Sequence, residues 1–257
     1  MSIKHQTGFL PEPPNPKHWG YETRLKPKTP SFRAYSDVDL RPLSGFRRNQ
    51  GDTRSCVAHA VVKALEIRQA INVGTPKITP LSVLEVYYLA RELMFPKMTD
   101  TDSGTYISHA CDVTRRFGAC PEVDWPFDPL QVYTPISWAA MRHAYLYRAA
   151  AFYKIESTGG ERIRMVRDAL AHMYPVVIGT DVGDNWQNYQ SGETLGICPA
   201  PTDKHATVLV GDIAGKFIGE NSWGQSWGNS GFYVLDPSVI SSYQTYECWV
   251  ITREVQP

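Results

Sequence analysis

The sequence predicts an α+β fold, and three observations predict it. Apolar residues recur at three- and four-residue spacing through the first part of the chain, as amphipathic helices require. Short β-branched and aromatic runs, mostly separated by Gly, Pro or Asn, fill the second half. At 257 residues, 42% of them hydrophobic and 20% charged, the chain can bury a substantial core as one large domain or two lobes. Helices followed by strands, rather than alternating with them, favour two lobes with a cleft between.

The first element is an arm. Residues 1–34 hold six of the 19 prolines (Pro11, Pro13, Pro14, Pro16, Pro27 and Pro30) and six Lys/Arg against two Glu, a charge of +4. The whole chain is neutral, so the body carries −4. Proline fixes φ and removes a backbone donor. The arm is therefore expected to be extended, either as a tail or as a strip along the oppositely charged body.

Helices follow. Ser55 to Asn72 sets Val57, Val61, Ala64, Leu65, Ile67 and Ile71 at helical spacing. "LSVLEVYYLAREL" opens on Ser82 and Glu85, the spacing of a capping box. "GTYISHACDVTRRFGAC" reads as a third helix closed by Gly118. "GERIRMVRDALAHM" reads as a fourth, with Ile163, Val166, Leu170 and Met173 on one face. Strands are predicted at "YPVVIGTD", "HATVLVGD", "KFIGENSW", "GFYVLD" and "TYECWVIT".

Zero net charge and the lack of a Lys/Arg-rich run argue against nucleic acid or an anionic membrane as partner. No apolar run approaches the roughly 20 residues of a membrane-spanning helix. The start, "MSIKHQTGFLPEPPNPKHWG", has no hydrophobic core for a secretory signal, so the expectation is a cytoplasmic protein or one exported by an unrecognised route. Five cysteines leave at least one without a partner inside the chain.

In "RNQGDTRSCVAHAVVKALE", Cys56 stands where a loop turns into an apolar helix. Unpaired N–H groups at a helix start favour an anion and lower a thiol pKa. A thiolate nucleophile needs a base, and His205 begins a predicted strand 149 residues on; Asn221, sixteen residues further, is available to orient it. Gln50 can offer a side-chain N–H to a developing oxyanion, with the Cys56 N–H as second donor. Together these are a nucleophile, a base, an orienting group and an oxyanion donor.

Taken singly, each has a plainer reading. Cys56 could be a small core residue and His205 a satisfied structural histidine. His59, one turn along the same helix, could compete as base, but its ring would lie beside the thiol rather than across a cleft. His109 and Cys111 lack the companion ligands of a metal site; the set built on Cys56 implies no metal or organic cofactor. Cys111 and Cys120 read as free thiols, and Tyr233, Tyr246 and Trp249 as core.

The blocks in order resemble the papain-like cysteine peptidases. Gln50 and Cys56 keep the family spacing, although "TRSCV" replaces its usual C-G-S-C-W. "KHATVLVGD" and "NSWGQSWGNSGFYVL" resemble the His and Asn blocks, with Trp223 placed to cover the Asn–His hydrogen bond and Trp227 following. "DSGTYI", "VDWPFD" and "PVVIGTDVGDNWQNYQSGE" resemble further family elements, and the match runs over residues 35–257.

The resemblance implies a papain-like catalytic domain at 35–257, with a helical lobe mainly at 45–135 and a β-barrel-like lobe mainly at 136–257. It implies an endopeptidase that forms a thioester with a peptide or protein substrate, the active site lying in the cleft. Ser103, Gly104 and Thr105 would pair with the substrate backbone; Tyr106, Ile107, Gly179 and Ala206 would wall its pockets.

Departures from the family accompany the match. Thr53 and Asp102 stand at both halves of a usual disulfide, Val57 replaces a Trp, and Lys204 rather than an acid precedes His205. Gly179 replaces a bulkier pocket residue, which implies a roomier pocket. Cys198 and Cys248 lie near positions that relatives often bridge, a bond that a reducing cytoplasm would prevent. The long family pro-region is replaced by the 34-residue arm, as in the bacterial branch with short N-terminal segments. The arm is therefore expected to cover the cleft of a zymogen. The rivals are an inactive peptide-binding relative and an enzyme passing the acyl group to an amine other than water.

Overall fold

The structure, a computed structural model, describes residues 4–25, 37–74, 78–149 and 151–252. Pro27, Pro30 and Tyr35 fall outside them. In chain order the elements are α1 (Tyr21–Arg24), β1 (Val38–Asp39), α2 (Cys56–Val73), α3 (Val83–Glu92), α4 (Ile107–Arg116), α5 (Trp138–Ala144), β2 (Ala151–Lys154) and α6 (Gly159–Ala171). Then come β3 (Val176–Val182), α7 (Asp184–Gln187), β4 (Asp203–Ile213), β5 (Lys216–Glu220), β6 (Phe232–Leu235), α8 (Pro237–Ser241) and β7 (Thr245–Thr252). Helices and one large antiparallel sheet make this the α+β fold that the sequence predicts.

Helix α2 runs through the core, and every residue from Cys56 to Ala70 is buried. An isolated amphipathic helix would expose its polar face to water; here Lys63 and Glu66 are buried but paired. Arg48 meets Glu66 at 2.6 Å and Glu122 at 3.2 Å, and Lys63 meets Glu66 at 3.2 Å and Glu220 of β5 at 3.6 Å. A buried ion pair contributes little net stability but fixes geometry when all its members are satisfied. This network ties α2 to the end of β5, one residue before Asn221.

The expected capping box of α3 is half formed. Ser82 accepts from the Glu85 N–H at 3.1 Å, but the Glu85 carboxylate turns inward to the Cys120 N–H instead of back to Ser82. The cause is tertiary: the Ser82 N–H already donates to the Cys120 carbonyl at 2.7 Å. Helix α6 ends at Ala171, so Met173 lies beyond it at φ 62° and is partly exposed; Met165 takes the buried place.

The sheet order is β2-β7-β3-β4-β5-β6, with β1 added beside β4. Five of these strands were read from their β-branched and aromatic runs; β1 and β2, two and four residues long, are too short to show a period. Between β3 and β4 the register sets Gly179 opposite Ala206 and Thr180 opposite His205. A register shift against β7 falls between Gly179 and Thr180. Such a bulge bends a strand and re-aims its side chains, often next to a functional site.

All five cysteines are free and buried, so the Cys198–Cys248 bridge suggested by family resemblance is not formed. Cys248 sits inside β7 opposite Ile178, while Cys198 is held in its own loop by Gln244, whose side chain accepts from its N–H and donates to its carbonyl. Tyr233 and Trp249 are core, as expected. Tyr246 is not: it is 36% exposed, because it is the extra residue of β7 at the register shift opposite Gly179 and Thr180.

Candidate active site

Cys56, His205, Asn221 and Gln50 converge where α2 meets the sheet, and all four are buried with the arm in place. Cys56 is the first residue of α2. His205 comes from β4, and Asn221 follows β5 directly. The Nε2 of His205 donates to Asn221 Oδ1 at 2.8 Å, which leaves the lone pair on Nδ1. That Nδ1 is buried with no hydrogen-bond partner. The Cys56 thiol lies against the backbone N–H groups of Ala206, Gly8 and Val57.

Aromatic rings enclose the His–Asn pair. Trp223 stacks on His205 at 4.7 Å and 28°, Trp227 stands edge-on to Trp223 at 5.2 Å, and Trp186 stands edge-on to His205 at 6.4 Å. They exclude water from the 2.8 Å hydrogen bond and so strengthen it. The role foreseen for Trp223 thus has a geometric basis. Trp186 carries no sequence signal, because it is a single Trp in α7, a helix only four residues long.

Gln50 is held from both sides of the cleft. Its Oε1 accepts from the Ser222 hydroxyl at 2.6 Å and its N–H donates to the Ser222 carbonyl at 2.8 Å. The amide orientation is thereby fixed, and Nε2 donates to Thr53 O at 2.7 Å and to Gln6 O at 3.1 Å. His59 is turned away: its Nδ1 meets Ser55 O at 3.1 Å and its ring stands edge-on to Phe127. Burial drives its pKa down to about 3, so it stays neutral.

The arm fills the cleft. The His5 backbone is gripped by the Gln187 side chain, which accepts from its N–H at 2.9 Å and donates to its carbonyl at 3.1 Å. The His5 ring stacks on Trp223 at 4.7 Å. The Gln6 carbonyl accepts from both Gln50 Nε2 and Trp223 Nε1, each at 3.1 Å. Gly8 O accepts from Thr105 N–H at 3.0 Å, Thr105 O accepts from Leu10 N–H at 3.1 Å, and the two segments run parallel. Phe9 N–H donates to Lys204 O at 3.3 Å. Further on, the Tyr21 hydroxyl donates to Asp168 at 2.7 Å.

Two glycines make room for it. A Cβ on Gly104, at φ +79°, would lie 2.1 Å from Gly8 O, and a Cβ on Gly179 would lie 2.2 Å from the Phe9 ring. Phe9 is 2% exposed, and Tyr246 closes the pocket with its ring 6.1 Å away. Of the foreseen wall residues, Gly179 lines the Phe9 pocket and Ala206 abuts the Cys56 thiol. Ile107 is buried at the start of α4. Tyr106 instead packs edge-on against His109, and Ser103 turns its hydroxyl to Gly104 O.

Electrostatics differ from the expectation for a helix-start thiol. Burial pushes the Cys56 thiol up to about 12 and the His205 imidazole down to about 4, despite the helpful N–H groups and Asn221. With the arm docked, desolvation outweighs the helix dipole, and both groups are neutral.

The sequence profile described as papain family cysteine protease matches residues 36–251. The chain belongs to that family. It is a papain-like cysteine protease. A peptidase C1-like protein of Acanthamoeba polyphaga mimivirus is 27% identical over 227 residues, 81% of this chain and 70% of that protein. Cathepsin K of Gallus gallus is 27% identical over 80% of this chain and 60% of its own length. Among solved structures, xylellain, a cysteine protease from Xylella fastidiosa, superposes with a TM-score of 0.80 at 25% identity, covering 99% of this chain and 98% of that one. Digestive procathepsin L 3 of Tenebrio molitor larval midgut shares the fold at a TM-score of 0.70 and 19% identity, over 88% and 73% of the two chains. Among the described residues no helix is long and apolar enough to cross a membrane.

Proposed function

We propose that this protease is an endopeptidase working through Cys56, His205 and Asn221, made silent by residues 1–34, with residues 35–257 as its catalytic domain. The observation that carries the reading is the 2.8 Å bond from His205 Nε2 to Asn221, which leaves Nδ1 as the only base on that ring, on the strand residue next to the thiol's Ala206 contact.

Nδ1 takes the Cys56 proton as sulfur attacks the peptide carbonyl carbon. The oxyanion so formed accepts from Gln50 Nε2 and the Cys56 N–H. The imidazolium, held by Asn221, passes its proton to the leaving amine, and a thioester remains. His205 then removes a proton from water, which attacks the thioester; collapse returns the thiol and releases the acid.

The arm occupies these positions without offering a scissile bond. The carbonyl that Gln50 binds is that of Gln6, while the thiol faces the N–H of Gly8, a donor rather than an electrophilic carbon. An occupant in this register blocks the cleft and is not cut. Mass spectrometry of the products from a form lacking the arm, with and without an added amine, tests the reaction. Hydrolysis products alone support the reading, amide products redirect it to acyl transfer, and cleavage that survives alkylation of Cys56 refutes it.

A further inference from the structure

The nucleophile loop and the substrate-pairing strip come from different segments, and a peptide in the cleft must satisfy both at once. The carbonyl of Arg54, two residues before Cys56, would lie 1.9 Å from a Cβ added at Gly8, and a Cβ added at Gly104 would lie 2.1 Å from Gly8 O. The peptide therefore passes between Arg54 on one side and Gly104 and Thr105 on the other. Between these segments lies Asp102, at one of the two positions where the family resemblance placed a cystine.

The Asp102 carboxylate accepts from the Arg54 N–H with both oxygens, at 3.1 and 3.0 Å, and one oxygen also accepts from the Tyr87 hydroxyl. The Tyr87 oxygen in turn accepts from the Gly104 N–H at 3.1 Å. Tyr87 itself is fully buried in α3, its ring face covered by the Arg91 guanidinium at 4.0 Å. Arg91 donates to the carbonyls of Thr101 and Val132, and so holds the loop that carries Asp102. Arg54–Asp102–Tyr87–Gly104 is an unbroken run of hydrogen bonds, one end on each wall of the helical side of the cleft. Its charged members are the stronger kind.

We infer that Asp102, with Tyr87, is a positioning residue that sets the distance between the Cys56 loop and the Gly104–Thr105 strip, and with it the register of any peptide across the thiol. The inference deepens the proposed function and rests on it. Thr53, at the other position, has no part in the latch: its hydroxyl donates to Gln50 O at 2.8 Å and meets Ser55 Oγ at 2.6 Å, stiffening the loop from within.

The test uses the full chain in two backgrounds, the natural arm and Phe9→Asp, which unseats it. In each, Asp102→Ala, Asp102→Asn and Tyr87→Phe are compared with the parent. Iodoacetamide reaches Cys56 without touching Thr105; a six-residue peptide must use both walls. With the arm unseated, kcat/KM for the peptide should fall roughly ten- to hundred-fold in Asp102→Ala, and less in Asp102→Asn, which keeps an acceptor for Arg54. Alkylation in that background should change by less than about threefold, since the thiol and His205 are untouched. With the natural arm, Asp102→Ala should speed alkylation roughly tenfold, because the arm uses the same two walls.

The inference is overturned if peptide kcat/KM stays within twofold, or if alkylation in the Phe9→Asp background collapses together with it, the mark of a merely structural loss. If a form lacking residues 1–34 also cleaves no peptide, the proposed function fails, while acceleration of alkylation in the natural-arm background still decides whether Asp102 holds the walls.

Discussion

A Cβ on Gly179 would stand 2.2 Å from Phe9 Cζ: the aromatic side chain of the arm takes up the volume that a larger residue at 179 would fill. Arm and pocket are thus fitted to each other, and the first prediction follows from that fit. Burying a Phe side chain is worth roughly 1.5–3 kcal/mol. Phe9→Asp removes this and places a charge in an apolar pocket. Full-length Phe9→Asp should therefore hydrolyse peptides at least about tenfold faster than the natural full-length chain. Steady-state rates on one fluorogenic peptide check it; equal rates would mean that Phe9 does not hold the arm.

Gly104→Ala acts on both occupants. A methyl group there meets the Gly8 carbonyl at 2.1 Å and must also adopt φ +79°. Any peptide backbone lying where the arm lies meets the same obstacle. The variant is expected to free the arm, read as faster Cys56 alkylation in the full chain, and yet to raise KM for peptides. Release of the arm with unchanged KM would show that substrate takes a different path from the arm.

Asn221→Ala leaves the imidazole without its 2.8 Å partner and exposes it to a second tautomer. The loss falls on the cationic form of His205, so kcat should drop roughly ten- to hundred-fold with KM nearly unchanged. Trp223→Ala, which uncovers the same bond and removes the His5 stack, should lower kcat and weaken the arm together. Kinetics on the armless form separate the two effects.

Two titrations give opposite pH slopes. Burial lowers the pKa of His5 in the docked arm, against a smaller opposing pull from Asp52. A histidine with a lowered pKa stays neutral when docked; as pH falls through its ordinary 6.5, the free arm takes up the proton and docking weakens. Alkylation of Cys56 in the full chain, corrected for thiol ionisation, should therefore accelerate toward acid, and His5→Gln should flatten the curve.

Glu85 runs the other way. Burial raises its carboxyl from 4.5 to about 7, so the folded chain keeps a proton that the unfolded chain releases. Its contribution to stability is whole below about 4.5 and is lost as pH rises through about 7. Glu85→Gln should leave stability at pH 4 unchanged and raise it at pH 8 by on the order of 3 kcal/mol, measured by urea unfolding.

Much of this was legible in the sequence because it is local. The spacing of apolar residues gave α2, α3, α4 and α6, and five β-branched runs gave five of the strands. Cys56, His205, Asn221 and Gln50 stood out only jointly, through blocks whose order resembles a family; alone, each had a plainer reading. What escaped the sequence is relational. Phe9 meets Gly179 from 170 positions away, and no local pattern joins them. The Glu85 carboxylate leaves its capping box because Cys120 arrives beside it. The raised thiol pKa is relational in the same way: a helix start lowers it, but burial by packing around the sulfur raises it further than the N–H groups of Ala206, Gly8 and Val57 lower it.

The most direct measurement is the rate of hydrolysis of a fluorogenic peptide library by the full chain and by a form lacking residues 1–34, each with a Cys56→Ala control. The short form should be active, the full chain nearly silent and both controls inactive. Equal activity of the two forms would contradict the arm's role, and an inactive short form would contradict the catalytic reading itself.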